Sequence, residues 1–252
     1  MAERFAPLVR DQRAALLGAL AQVEGDAWDT PTVCEPWTVK DVSAHLVEGE
    51  LLLGRLYRGE LGDITHDAQD DVDRWSKVDG GTVRYSLWHH GQATQRVIDS
   101  RTDDSWRREV GQDGATFELR HALRIHFFEL AVHGHDITSG LGVPNVWDDR
   151  AWVVVEACLR RAPGVLASQT GSGSIVVRVP EIGSRTVAGD GNGWTLQNDE
   201  PEQPTAVWDT DAETFVLATT GRLAAAEAIA RSKVDGDASF LESIVGAWRV
   251  VG

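Results

Sequence analysis

The chain has 252 residues, which is enough for one large domain or two smaller ones and for a substantial hydrophobic core. Its net charge of −15 at pH 7 argues against nucleic acid and anionic membranes as partners, because both are bound through basic patches. No apolar run approaches the roughly 20 residues that span a bilayer, and residues 1–5 lack the basic-then-apolar pattern of a signal peptide. We therefore expect a cytoplasmic protein.

The chain contains two cysteines, Cys34 and Cys158. They could form at most one disulfide, which a reducing cytosol disfavours. Neither lies in the spacing of a metal knuckle or a redox motif, so we interpret both as small buried hydrophobic residues.

Four segments in the first 140 residues show the apolar periodicity of amphipathic helices. They cover residues 3–24, 38–58, 82–100 and 117–140. Thr38 with Asp41 resembles a capping box at the start of the second helix, and Gly59 follows its end. The connections over 59–80 and 101–115 are polar and are interpreted as solvated, the first with room for a short helical turn and the second as a loop. Four helices with one apolar face each predict a four-helix bundle.

The fourth predicted helix carries polar residues where the core of a bundle should be apolar. Glu129 and His133 are four residues apart and therefore share one helix face, which His126 and Asp136 extend. A buried glutamate beside a buried histidine is costly unless something pairs them, and a divalent metal is the simplest partner. An ordinary Glu–His pair on the helix surface would produce the same spacing.

His45 lies in the middle of the apolar face of the second predicted helix. A lone histidine there is more often a core residue with a hydrogen-bond partner than a ligand. Metal sites in bundles are nevertheless built from inward side chains of facing helices. His45 with Glu129 and His133 would supply three ligands and leave one position of a tetrahedral zinc open, which is the catalytic arrangement. The adjacent His89 and His90 are interpreted as ordinary polar residues of the third helix.

The pattern changes after residue 144. A helix is predicted over 148–162. Strands follow at 175–179, 185–187, 194–196 and 204–208, and helices at 210–221, 223–230 and 239–250. Thr210 with Glu213 predicts a capping box, and the glycine-rich run 189–193 predicts a hairpin turn rather than a phosphate loop, because no helix follows it. Strands that come after helices predict an α+β chain with a boundary near residue 144.

Three segments in this order resemble the mycothiol-dependent maleylpyruvate isomerase family. Residues 29–46 read DTPTVCEPWTVKDVSAHL, residues 129–136 read ELAVHGHD, and the third segment runs from GRLAAAEA at residue 221 to WRV at residue 250. The resemblance implies a DinB-like four-helix bundle over residues 1–144 that carries a metal, usually zinc. It also implies that residues 145–252 form a small α/β domain of sterol-carrier-like shape.

The same resemblance implies roles for individual residues. The implied metal ligands are His45, Glu129 and His133. Asp136 would be a catalytic-site residue behind the ligands or on the substrate side. Arg222 would be catalytic and would bind the anionic part of a ligand or of the thiol cosubstrate. His135 departs from the family pattern, which has an aromatic residue there, often tryptophan, and this departure bears on substrate identity.

The resemblance further implies that mycothiol, the low-molecular-weight thiol of actinobacteria, reacts with a small-molecule electrophile. A metal-bound thiol is deprotonated, and the thiolate is the nucleophile. Cis–trans isomerisation and thiol S-transfer both remain open. So do a thiol-independent zinc hydrolase that activates water and a non-catalytic binding module, which a fourth ligand would favour; His126 is the candidate. We expect a monomer, because no long apolar surface stripe demands a partner.

Overall fold

The computed structural model describes residues 2–64, 67–112, 115–147, 150–180 and 182–250. The chain divides into two compact units, Met1–Asp148 and Asp149–Gly252, and the predicted boundary near residue 144 lies just before this division. The combination of helices and strands confirms the predicted α+β class. Within the described ranges, none of the helices combines the length and the hydropathy that a membrane span requires.

Four long helices make up most of the first unit, as predicted for a bundle. They are α1 (Ala2–Leu20), α2 (Val39–Arg58), α4 (Gly80–Ser100) and α5 (Ala122–Leu141), and the shorter α3 (Ala68–Trp75) separates α2 from α4 in the chain. Helices α1 and α2 each pack against both α4 and α5, and α3 packs on α2. The apolar face of α2, which includes Val42, Leu46 and Leu53, is buried in these contacts.

Side chains and a glycine define where α2 begins and ends. The predicted capping box is confirmed, because the Asp41 backbone N–H donates to Thr38 Oγ1 (3.3 Å) and the Thr38 N–H donates to the Asp41 carboxylate (3.0 Å). Gly59 terminates α2 with φ +85°, a left-handed conformation that favours glycine. Asp79 caps α4 by accepting from the Thr82 N–H (3.0 Å), so this helix begins at Gly80, before the predicted residue 82.

The prediction for the fourth long helix is wrong at both ends. Residues assigned to a loop and to its first turn instead form an antiparallel hairpin of β1 (Glu109–Gln112) and β2 (Ala115–Glu118), in which Val110 pairs with Phe117. A 3-10 turn follows, and α5 begins at Ala122. At the other end Gly140 does not close the helix. A Cβ there would lie 2.8 Å from the Pro31 carbonyl oxygen, so Gly140 permits close packing, whereas Gly142 (φ +66°) forms the C-cap.

The second unit contains a five-stranded sheet. Its strands are β3 (Ser172–Val179), β4 (Gly183–Asp190), β5 (Trp194–Gln197), β6 (Ala206–Asp209) and β7 (Lys233–Gly236), in the order β5-β4-β3-β6-β7. Strands β3 and β6 are parallel, and the other neighbours are antiparallel. The helices are α6 (Ala151–Val165), α7 (Ala212–Thr219), α8 (Ala225–Ala230) and α9 (Ala238–Ala247).

Two features of the second unit differ from the sequence prediction. Strand β7 was not predicted, because four residues of mixed polarity carry little strand signal alone and form a strand by pairing with β6. The capping box of Thr210 and Glu213 is wrong, since Asp211 is the N-cap and its carboxylate accepts from the Thr214 N–H (2.8 Å). The glycine-rich segment does connect β4 and β5 as a hairpin turn, in which Asp190 accepts from the backbone N–H of Asn192.

Candidate metal centre

Three side chains from α2 and α5 converge inside the bundle. Glu129 Oε2 lies 3.7 Å from His45 Nε2 and 3.4 Å from His133 Nε2. The two imidazole rings meet edge-on with centroids 5.0 Å apart. Both histidines are buried, whereas the Glu129 side chain keeps 21% of its surface exposed. We call these three residues the metal trio; Glu129 is its most exposed member.

Each histidine of the trio has a carboxylate on its other ring nitrogen. Asp71 Oδ2 lies 3.2 Å from His45 Nδ1, and Asp136 Oδ2 lies 2.9 Å from His133 Nδ1. Both aspartates are buried. Such contacts fix the tautomer and orientation of an imidazole and direct its Nε2 away from the aspartate. They commonly support histidines that bind metals. Here both Nε2 atoms face the same carboxylate.

The trio fits a divalent cation. A tetrahedral ion with ligand bonds of about 2.1 Å separates its ligand atoms by roughly 3.4 Å, and Glu129 lies 3.4 and 3.7 Å from the two Nε2 atoms. Nε2 of His133 is buried and has no hydrogen-bond partner among the described residues, which is costly unless another group satisfies it. Two imidazoles and one carboxylate are a recurrent ligand set of catalytic zinc.

The electrostatics of the trio also favour a cation. Burial alone would raise the pKa of Glu129, but the neighbouring His133 and His45 hold that pKa well below its usual range. Burial alone would lower the pKa of His133, but its contacts with Asp136, Cys34 and Glu129 raise that pKa well above its usual value. A bound cation would interact favourably with the Glu129 carboxylate, and it would compete with a proton for Nε2 of His133.

The segment between α1 and α2 lies against the trio. The Trp37 ring centroid is 5.3 Å from that of His45 and 6.3 Å from that of His133. Cys34 is half-buried and its thiol contacts His133, so the interpretation of this cysteine as a buried hydrophobic residue is wrong. Cys158 is buried as expected, and burial raises the pKa of its thiol to about 11. Both cysteines are free thiols.

The first part of the chain matches a known family. Residues 9–138 match the mycothiol maleylpyruvate isomerase N-terminal domain. The chain belongs to this family. The matched range covers more than half of the chain and contains all three residues of the metal trio. A comparison with curated proteins finds no match.

Solved structures resemble the chain at low sequence identity. A histidine-to-alanine mutant of the mycothiol-dependent maleylpyruvate isomerase is 16% identical with a TM-score of 0.71, and the match covers 93% of each chain. A second structure of that isomerase is 17% identical with a TM-score of 0.69, covering 88% of this chain and 90% of the other. At these identities the similarity shows a shared fold. YfiT from Bacillus subtilis, described as a probable metal-dependent hydrolase, is 18% identical with a TM-score of 0.48 over 57% of this chain and 89% of its own.

The family resemblance predicted two further residues, Asp136 and Arg222, at the site. Asp136 is fully buried and its carboxylate contacts Nδ1 of His133; its catalytic role remains a prediction. Arg222 lies in the second unit, where its guanidinium donates to the Thr220 carbonyl oxygen (3.1 Å). Its catalytic and binding roles remain predictions.

Neither of the other two histidines on α5 joins the trio. His126 Nε2 lies 3.0 Å from Glu50 Oε1, and its Nδ1 lies 3.4 Å from the Tyr57 hydroxyl, so both ring nitrogens are engaged elsewhere. The ring of His135 packs edge-on against Trp147, and the Asn145 amide lies 3.0 Å from its Nδ1. The ligand atoms of Cys34 and Asp136 lie within 4.8 Å of that of His133 but do not join the cluster of His45, Glu129 and His133. No fourth ligand of the trio is therefore found in the described part of the chain.

Asp71, Trp37 and the proximity of Cys34 to His133 were not predicted from the sequence. Asp71 is one of several aspartates in an acidic stretch, and nothing in its spacing connects it to His45, which lies 26 residues earlier. Trp37 and Cys34 lie within residues 29–46, the first segment that resembles the family, and this position could have indicated that they lie near the site.

Proposed function

We propose that this chain is a zinc-dependent enzyme that uses the thiolate of mycothiol to attack a small electrophilic molecule. The observation that carries the proposal is the metal trio, in which both Nε2 atoms face one carboxylate and both Nδ1 atoms are held by aspartates. Membership of the mycothiol maleylpyruvate isomerase family supports the choice of thiol.

The ligand set suits a thiolate as the fourth ligand. Two neutral imidazoles and one carboxylate leave a net charge of +1 with a divalent zinc, which one thiolate neutralises. When bound, the zinc would lower the pKa of the mycothiol thiol so that the thiolate is present at neutral pH. The buried Asp71 and Asp136 would accept the Nδ1–H of the two imidazoles, which orients the rings and leaves Nε2 as the nitrogen that binds the metal, while Trp37 and Cys34 lie beside the ligands.

The thiolate would form a carbon–sulfur bond to an electron-poor double bond, whose electron pair moves onto the conjugated acceptor, or to another electrophilic carbon that expels a leaving group. If the double-bond adduct rotates and the same carbon–sulfur bond breaks, the thiolate is regenerated and the reaction is a cis–trans isomerisation. If that adduct takes up a proton from solvent and is released, or if a leaving group is expelled, the reaction is a thiol S-transfer. Isomerisation and S-transfer begin with the same attack of the thiolate on carbon. Product analysis after incubation with a cis-unsaturated acid distinguishes the two reactions.

The rival functions predict different dependences on metal and thiol. A zinc hydrolase would act without added thiol through a bound water. A binding module would close the metal sphere with a fourth protein ligand, and among the described residues His126, the candidate for that role, instead contacts Glu50 and Tyr57. The observed three-residue site therefore favours an enzyme with one exchangeable position.

Turnover and metal content together test the proposal. We expect His133→Ala to lose both bound zinc and thiol-dependent turnover, because it removes a ligand whose Nε2 has no other partner among the described residues. The matched control is His89→Ala, which removes an exposed histidine from α4 and should retain both. Thiol-dependent turnover that survives in zinc-free His133→Ala would refute the mechanism, and turnover that needs zinc but no thiol would establish the hydrolase.

A further inference from the structure

The bundle contains a second set of buried polar side chains, separate from the metal trio. It takes one residue from each long helix, namely Arg13 of α1, Glu50 of α2, Gln95 of α4 and His126 of α5. We call this set the four-helix polar layer. Every member is at most 6% exposed.

Directional contacts connect all members of the layer. The Arg13 guanidinium donates to both carboxylate oxygens of Glu50, through Nε (2.5 Å) and Nη2 (3.2 Å), and to Gln95 Oε1 through Nη1 (3.1 Å). His126 Nε2 lies 3.0 Å from Glu50 Oε1. A fork of this kind is geometrically demanding, because both guanidinium donors must meet both oxygens at once.

The surrounding chain is shaped to hold the layer. A Cβ on Gly91 of α4 would lie 2.4 Å from Cδ of Arg13, so only glycine leaves space for the arginine stem there. The Tyr57 hydroxyl lies 3.4 Å from Nδ1 of His126, and the Gln95 amide donates to Asp99 (2.9 Å). These contacts complete the hydrogen bonding of a network that would otherwise be expensive to bury.

The layer lies next to the metal trio on the same two helices. Glu50 follows His45 by five residues on α2, and His126 precedes Glu129 by three residues on α5. At 1.5 Å per residue these offsets correspond to about 7.5 Å and about 4.5 Å along the helix axes. A slide of α2 against α5 would therefore disrupt the Glu50–His126 contact and the convergence of the trio together.

Ridge-and-groove packing sets the crossing angle of two helices, while their relative position along the helix axes depends on the particular side chains in contact. A buried ion network adds little net stability, because the desolvation of its charges offsets their attraction, but it can specify one register. We propose that the four-helix polar layer fixes the register of α2 against α5 and so sets the separation of His45 from Glu129 and His133. The proposal rests on the proposed function only in taking the trio to bind zinc.

The test replaces the layer by apolar residues of similar size in the variant Arg13→Met/Glu50→Leu/Gln95→Leu/His126→Leu, with Tyr57→Phe added because its hydroxyl would lose its partner. We expect the midpoint of unfolding to stay the same or to rise, while zinc affinity in a chelator competition falls about tenfold or more. If the layer served stability alone, replacing it would lower the midpoint of unfolding and leave the zinc affinity of the folded protein unchanged.

The matched control is Gln12→Leu. Gln12 is a fully buried neighbour of the layer on α1, and its amide has no hydrogen-bond partner among the described residues. This change also replaces a buried polar group by an apolar one, and we expect it to leave zinc affinity unchanged. A folded layer variant that binds zinc as tightly as the wild type would overturn the proposal.

Two further measurements apply if the layer variant does not fold or if the wild type binds no zinc. If the layer variant does not fold, Glu50→Asp retracts the carboxylate without removing its charge, and unchanged zinc affinity in that variant overturns the proposal. If the wild type binds no zinc, the proposed function fails, and the amide correlation spectrum of the metal-free layer variant decides the inference. Broadened or doubled signals from α2 and α5 would support it, and one sharp set would overturn it.

Discussion

The carboxylate of Asp71, on the short helix α3, lies 3.2 Å from Nδ1 of His45 on α2. Asp136 makes the equivalent contact with His133 from within α5. The two histidines of the trio are thus oriented by the same device, supplied once by tertiary packing and once by local helix spacing. Because each aspartate orients one histidine, replacing an aspartate tests whether the trio binds a metal.

We expect Asp71→Asn to weaken zinc binding about 10-fold to 100-fold, because the amide can no longer fix the His45 ring as a carboxylate does. Chelator competition on the purified variant measures the effect. Asp70→Asn is the matched control, since Asp70 is an exposed neighbour on the same short helix. If the two variants bind zinc equally, Asp71 has no role in orienting the ligand.

Cys34 provides a second test of the ligand set. Its thiol contacts His133 but does not group with His45 and Glu129. We therefore expect Cys34→Ala to retain about one zinc per chain, as a site with three other protein ligands should. Cys158→Ala removes the buried thiol of the second unit and serves as the control. Loss of zinc in Cys34→Ala alone would show that the thiolate is a ligand.

The buried Glu50 predicts a dependence of stability on acid. Burial alone would raise the pKa of Glu50, but the neighbouring His126 and Arg13 lower it from 4.5 to about 2. A lowered folded-state pKa contributes stability that is fully present above pH 4.5 and is lost as the pH falls from 4.5 through 2. The difference of about 2.5 pKa units corresponds to about 3 kcal/mol.

Chemical denaturation of Glu50→Gln and the wild type tests this prediction. The stability advantage of the wild type should shrink by about 3 kcal/mol between about pH 6 and about pH 2. Glu109→Gln, which changes an exposed glutamate of the same unit, should show no comparable change. A constant difference between wild type and Glu50→Gln across that range would contradict the prediction.

Arg222 can be tested with any electrophile that supports thiol-dependent turnover. If it binds the anionic part of the thiol or substrate, Arg222→Ala should raise KM about tenfold or more while zinc content stays unchanged, because a charge-assisted contact is lost. Arg222→Lys should recover part of the effect. Arg231→Ala removes a half-exposed arginine of the same unit and should behave as the wild type. Equal KM values for all three variants and the wild type would exclude a binding role.

Local sequence rules were sufficient for the bundle and for two features of the candidate site, whereas the role of His45 as a ligand was implied by the family resemblance. Glu129 and His133 share a helix face because of their spacing, and His45 stands out because it interrupts an apolar face. The Thr38–Asp41 capping box also follows from local sequence. Each of these inferences needs only the geometry of one helix.

Features that depend on distant contacts were not predicted. Phe117 stands at the start of the fourth predicted helix, whereas pairing with Val110 makes it part of a strand. Asp71 resembles its acidic neighbours in sequence, and only the packing of α3 on α2 selects it as the partner of His45. Gly140 was taken for a helix end, but its lack of a side chain serves contact with Pro31.

Metal content by mass spectrometry is the most direct test of the metal centre. We expect about one zinc per chain in wild type purified without chelator, loss of that zinc in His45→Ala, and retention in His89→Ala. Such a result would identify His45 as a ligand and make titration with mycothiol the next experiment. Wild type without metal, or His45→Ala with undiminished zinc, would contradict the account and return His45 to the role of a core histidine bonded to Asp71.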